Sequence, residues 1–154
     1  MDFSVVIRIK KISEKISTTI PLPRYATAGS AGLDLPACLD APLAVPPGAR
    51  VKIPTGIAVE IPYRHIAGLV FPRSGLAAKH GISLANAVGV IDSDYKGEII
   101  VAVLNQGERE YVIHPGERVA QIVFVPVFKV TFQEVDELDD TDRGVGGFGS
   151  TGKL

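Results

Sequence analysis

The sequence has 154 residues, a length that folds as one domain with a sizeable core. Sixteen Lys and Arg against seventeen Asp and Glu leave a formal charge of −1, so there is no basic stripe for nucleic acid and no cationic face for a membrane; the expected partner is small. Cys38 is the only cysteine, which excludes an internal disulfide, and the charged opening stretch offers neither a secretory core nor a membrane span, so a cytoplasmic protein is expected.

Taken in order, residues 5–9 read as a first strand. Pro21, Pro23, Pro36, Pro42, Pro46, Pro47, Pro54 and Pro62 then punctuate the chain too densely for a long helix. Short β-prone runs follow at residues 50–53, 56–61 and 67–70, and again at 82–84, 99–104, 110–113 and 118–128, the last interrupted by Pro126. Many short strands separated by Gly and Pro predict an all-β sandwich, jelly roll or barrel. One helix is predicted from Ser74 as N-cap to His80, ending at Gly81.

Residues 1–132 form the predicted globular part. Residues 133–142 carry Glu134, Asp136, Glu137, Asp139, Asp140 and Asp142 and read as a solvated acidic linker. Residues 143–154 are too glycine-rich to hold a fold unaided. They are either a disordered end or a flap that orders on a ligand, for which Arg143, Phe148, Gly149, Ser150 and Thr151 supply a cation, a stacking ring, hydroxyls and backbone N–H groups.

Four further stretches carry the chemistry. The run 86–97 sets Asn86, Gly89, Val90, Asp92 and Tyr95 between two apolar runs, which reads as a hairpin with a short polar turn. It is either a plain Asx turn or a slot for a flat uncharged ring read by backbone groups. Asp34, in a strand-like setting after Gly32, is either a turn stabiliser or an acceptor for a metal-bound water or an arginine. Arg73, Ser74 and Gly75 open the one helix, where free N–H groups favour an anion; the alternative is an ordinary cap with Arg73 solvated. Gln121 lies in an apolar strand and its amide must find partners. His65, His80 and His114 lack metal-ligand spacing, so no zinc site is expected.

Residues 31–35, 72–77, 86–97, 116–121 and 143–152, in that order and spacing, resemble the five motifs of the trimeric deoxyuridine triphosphatase (dUTPase) family. The resemblance implies a distorted jelly-roll β-barrel with one short helix and a flexible C-terminal arm. It also implies a homotrimer with three sites, each built from all three subunits, which would absorb the generous 46% of hydrophobic residues.

The implied reaction is dUTP + H2O → dUMP + pyrophosphate, with water attacking the α-phosphorus. In it Asp92 holds and deprotonates the water, and Gln121 helps fix it. Arg73, Ser74 and Gly75 bind phosphates, while Asn86, Gly89 and Val90 read uracil. Tyr95 packs on the sugar and excludes a 2′-hydroxyl, and Phe148 stacks on the base while Arg143, Gly149, Ser150 and Thr151 close over the phosphates. Mg2+ would ride on the triphosphate, with Asp34 touching its water shell and no direct protein ligand. The family's reaction limits uracil in DNA and supplies dUMP for thymidylate synthesis. The nearest rival within this fold is dCTP deamination, which needs a carboxylate beside the base where residues 99–104 have none, Glu98 lying at their edge. A binding-only barrel is the second rival.

Overall fold

The computed structural model describes residues 4–148. Among them the strands are β1 (Arg8–Lys11), β2 (Arg24–Tyr25), β3 (Leu33–Pro36), β4 (Leu43–Val45), β5 (Arg50–Glu60) and β6 (Ile66–Pro72). After the helix α1 (Ser74–His80) come β7 (Ile82–Leu84), β8 (Gly89–Ile91), β9 (Glu98–Asn105), β10 (Tyr111–Ile113) and β11 (Arg118–Pro126).

Strand order is β1-β5-β9-β7 in one sheet and β2-β3-β11-β6-β8 in the other, with β4 and β10 paired apart. Every one of these ladders is antiparallel. The two sheets close on a core of β-branched side chains, Ile53, Ile82, Ile99, Val101, Val103, Ile113 and Val119 among them, each at most 2% exposed. Burying each is worth about 1.5–3 kcal/mol. This is the expected distorted jelly roll. In β9 the period of two is plain: Ile99, Val101, Val103 and Asn105 point inward, while Ile100 is 42% exposed.

Several predicted boundaries move, each for a reason of pairing. The first strand is Arg8–Lys11 rather than residues 5–9, because β5 ends at Glu60, the partner of Arg8, and residues 5–7 lie beyond it. The runs 50–53 and 56–61 are one strand. Its register with β9 shifts between Pro54 and Ala58, and the Thr55 hydroxyl bridges the irregularity by donating to the Ile99 carbonyl at 2.7 Å. The run 110–113 begins one residue later, at Tyr111, and the last strand stops at Pro126.

The helix is as predicted, but its cap is not. Arg73, extended at φ −95° and ψ 128°, is the N-cap and makes no side-chain cap bond, so Ser74 is already helical and its hydroxyl is not spent on capping. Gly81 ends the helix at φ +70°, donating its N–H to the Ala77 carbonyl.

Residues 86–97 are not a short turn. β7 and β9 do pair, Leu84 with Val103, but the chain between them crosses to the opposite sheet and lays β8 against β6. The excursion ties the two sheets together and carries the chemistry-bearing residues with it.

Candidate active site

The phosphate-type residues converge. β3 and β11 pair Asp34 with Gln121, and β11 and β6 pair Ala120 with Pro72, so Arg73 and the start of α1 emerge beside them. Asp34, Arg73, Ser74, Gly75, Gln121 and Gly32 line one open cavity of about 270 Å³.

Asp34 is the hinge of this cavity. Its carboxylate has 13% exposure and stands between two guanidinium groups: Arg118 Nη1 donates to Oδ2 at 2.9 Å, and Arg73 Nε lies 3.1 Å from Oδ1. Arg73 Nη1 also donates to the Arg118 carbonyl at 3.4 Å. Arg73 is therefore paired, not solvated. Of the readings open for Asp34, the arginine acceptor is the one seen.

Gln121 finds its partner in the Pro72 carbonyl, to which Nε2 donates at 3.1 Å. Its other end lies over Gly32, where a Cβ would come within 2.8 Å of Oε1. Only glycine lets the carboxamide sit so close to the neighbouring strand.

Behind the cavity, Glu117 accepts a bond from the Tyr111 hydroxyl and another from the His114 N–H at 2.9 Å. Burial, then the Glu117 bond, pushes the Tyr111 phenol up to about 12, so it remains a donor. This pair fixes the turn that delivers Arg118.

The ring-type residues gather elsewhere. Asn86, Gly89 and Val90 line a slot of about 140 Å³ floored by Val70, Leu84 and Val101. A Cβ on Gly89 would meet Val70 at 3.2 Å and the Asn86 amide at 3.5 Å, so a side chain at this position would crowd the slot. Ala87 takes φ +60°, which costs a non-glycine residue about 1–2 kcal/mol and bends the chain around the slot.

Tyr95 stands 43% exposed with its hydroxyl donating to the Glu98 carbonyl at 2.8 Å. The Glu98 side chain is committed to the fold, Oε1 accepting the Gly56 N–H at 2.7 Å.

Asp92 is not beside the phosphate-type residues. Gly68 pairs with Ile91, so Asp92 comes level with Ala67, and the two line a cavity of about 560 Å³ with Arg64, Asp94 and Lys129. Along β6 the steps from Ala67 to Arg73, at about 3.3 Å each, separate Asp92 from Arg73 by about 20 Å. One chain thus places Asp92 and Arg73 in separate cavities at opposite ends of one strand. Arg143 lies in an exposed turn and Phe148 is fully exposed, and neither lines these cavities; Gly149, Ser150 and Thr151 lie outside the described residues.

Arg118 was missed as a site residue. Its sequence signal was its place between Glu117 and the Gln121 strand, but a strand's simple alternation puts it on the buried face.

Fold and cavities together define an antiparallel jelly-roll protein with an open cavity lined by Asp34, Arg73 and Gln121 and a separate narrow slot beside Asn86. Residues 18–152 match the family model described as dUTPase. A deoxyuridine 5'-triphosphate nucleotidohydrolase of Desulfitobacterium hafniense is 60% identical over 131 residues, 85% of this chain and 87% of its own. One from an Enterobacter species is 52% identical over 147 residues, 96% of this chain and 97% of its own. Among solved structures, the dUTPase of Staphylococcus bacteriophage 80alpha with dUPNHPP superposes with a TM-score of 0.84 at 25% identity, over 97% of this chain and 99% of that one. A mutant dUTPase from phage phi11 of S. aureus, described with a structural Mg(II) ion, shares the fold at a TM-score of 0.74 and 23% identity, over 88% of this chain and 100% of that one. The chain belongs to the dUTPase family.

Proposed function

We propose that the protein is a dUTP diphosphatase that hydrolyses dUTP to dUMP and pyrophosphate in the cytoplasm, limiting uracil in DNA and supplying dUMP for thymidylate synthesis. The observation that carries this reading is the meeting of Arg73, Ser74, Gly75, Gln121 and Asp34 around one anion-sized cavity. Support comes from the curated relatives' names and from dUPNHPP on the phage protein. No helix among the described residues is long and apolar enough to cross a membrane.

In this reading Arg73, Ser74 and the Gly75 amide take phosphate oxygens, placing negative charge against a cation already held in position. Gln121 presents Oε1 to the attacking water. Asp92 orients that water and receives its proton as the bond to the α-phosphorus forms and the bond to the leaving pyrophosphate breaks. Asn86 and the backbone at Gly89 and Val90 read the uracil edge in a slot too narrow for an added methyl group. Tyr95 packs on the deoxyribose and excludes a 2′-hydroxyl.

Asp92 and Gln121 meet only if half-sites of different copies face each other, so the site is a property of an assembly, read here as a homotrimer. Two exposed apolar features suit burial in it. Phe128, Val130 and Phe132 alternate along the chain at 94%, 72% and 94% exposure, and an apolar groove of about 310 Å³ opens beside Ile9, Tyr25 and Phe124. Residues 1–132 would form the barrel and 133–142 the acidic linker. Residues 143–154 would be the flap, with Phe148 on the base and Arg143, Gly149, Ser150 and Thr151 over the phosphates.

Mg2+ fits the donor set as a passenger on the triphosphate. Each Asp34 oxygen meets one arginine, and a carboxylate oxygen can accept a second bond, which a metal-bound water would supply. Such an ion supplies charge neutralisation on the phosphates.

The deaminase alternative has little support, because the Glu98 carboxylate is bound to the Gly56 N–H. Pyrophosphate release from dUTP is the test. Wild type should release it without ammonia from dCTP, and Asp92→Asn should slow it by about 10²–10⁴-fold with dUTP affinity little changed. Absence of pyrophosphate, or a fully active Asp92→Asn, rejects the assignment.

A further inference from the structure

We propose that Arg118 is a positioning residue for phosphate binding, acting through Asp34 to keep the Arg73 guanidinium turned toward the cavity. The inference deepens the proposed function and rests on its phosphate half-site. β11 carries a register fault against β3.

Gln121 pairs with Asp34 and Ala120 with Leu35, but Arg118 pairs with Pro36, so Val119 is an extra residue in β11. Residues directly opposite share a face, and Pro36, two along from Asp34, is on the Asp34 face. Regular alternation back from Gln121 would put Val119 on that face and Arg118 in the core. The bulge exchanges them: Val119 is 2% exposed, and Arg118 reaches Asp34 with half its side chain open to solvent. A backbone irregularity has been spent on bringing a second cation to a carboxylate that already has one.

The geometry shows what the second cation does. The well-aligned hydrogen bond of Asp34 goes to Arg118 Nη1 at 2.9 Å, while Arg73 Nε makes an ion-pair contact at 3.1 Å without that alignment. With Nε on Asp34 and Nη1 on the Arg118 carbonyl, Arg73 is held at two of its three nitrogens, and Nη2 makes no bond among the described residues. A lone carboxylate beside a lone guanidinium favours the two-toothed, in-plane pairing that would draw Nη2 away from the cavity. By binding Oδ2, Arg118 competes with Nη2 for that oxygen and weakens the pull toward such a pairing. It also leaves the trio one net positive charge to meet phosphate.

A thermodynamic cycle tests this, using binding of inorganic tripolyphosphate by calorimetry and dUTP kinetics in parallel. Arg118→Ala should weaken tripolyphosphate binding and raise the KM for dUTP, each about tenfold, with kcat and dUMP affinity nearly unchanged. Arg118→Lys, which can still occupy Oδ2, should recover most of the loss. In an Arg73→Ala background, Arg118→Ala should add nothing. A penalty of equal size in that background, or no rescue by lysine, overturns the proposal, as does wild type that fails to bind tripolyphosphate. Wild type that binds tripolyphosphate but leaves dUTP intact would instead reject the proposed reaction while the cycle still decides the role of Arg118.

Discussion

Tyr111 touches no ligand in the proposed reaction, yet it reports on the ground beneath the site. Its phenol is raised from 10.0 to about 12, burial contributing most and the bond to Glu117 next. A raised value in the folded state means that folding favours the proton. The stabilisation is intact below pH 10 and is lost as the pH climbs toward 12. Urea unfolding followed from pH 9 to 12 should show this component in wild type and not in Tyr111→Phe. Parallel curves for the two proteins would show that the phenol is not coupled to folding. Ser74 makes the complementary point: with Arg73 as the cap, its hydroxyl stays available for the phosphate contact proposed above.

At the scale of elements, the chain relies on a few fully satisfied polar groups where strands end. Asn105 closes β9 with no solvent exposure. Its Nδ2 donates to the carbonyls of Val45 and Arg109, each at 2.8 Å, and its Oδ1 accepts the Gly107 N–H at 2.9 Å. One side chain thus joins β4, β9 and the loop that lies against the end of α1. Asn105→Ala would strand several buried partners and should cost roughly 3 kcal/mol or more in a urea titration. A change under 1 kcal/mol would mean that water or the loop replaces these bonds. The excursion between β7 and β9 is the other decisive element. By placing β8 on β6 it fixes where Asp92 stands relative to Arg73, at the opposite end of that strand.

For the whole molecule, the distance of about 20 Å along β6 makes assembly a condition of the proposed chemistry. The exposed alternation of Phe128, Val130 and Phe132 precedes the acidic linker, so the surfaces proposed to build the assembly and the segment proposed to close its sites are separable. A chain ending at Asp142 should sediment as the same oligomer as wild type while hydrolysing dUTP about 100-fold more slowly. Undiminished turnover would remove Arg143, Phe148, Gly149, Ser150 and Thr151 from the site, and a smaller species would show that the end of the chain also holds the copies together.

The sequence by itself determined the all-β class, the helix from Ser74 to His80 and the family, because Gly, Pro and β-branched spacing are local signals and the motifs are contiguous words in the chain. It also marked Asp34, Arg73 and Gln121 as chemically restless residues in apolar company, and these do share one cavity. Only the tertiary structure decided that residues 86–97 cross between sheets rather than turn back, and that Arg73 caps the helix in place of Ser74. The turn of Arg118 out of the core to grip Asp34 belongs with these. The first and the last depend on which strand lies beside which, and at what register. Register is set by pairing between residues far apart in the chain, and a slip of one position reverses which face a side chain occupies.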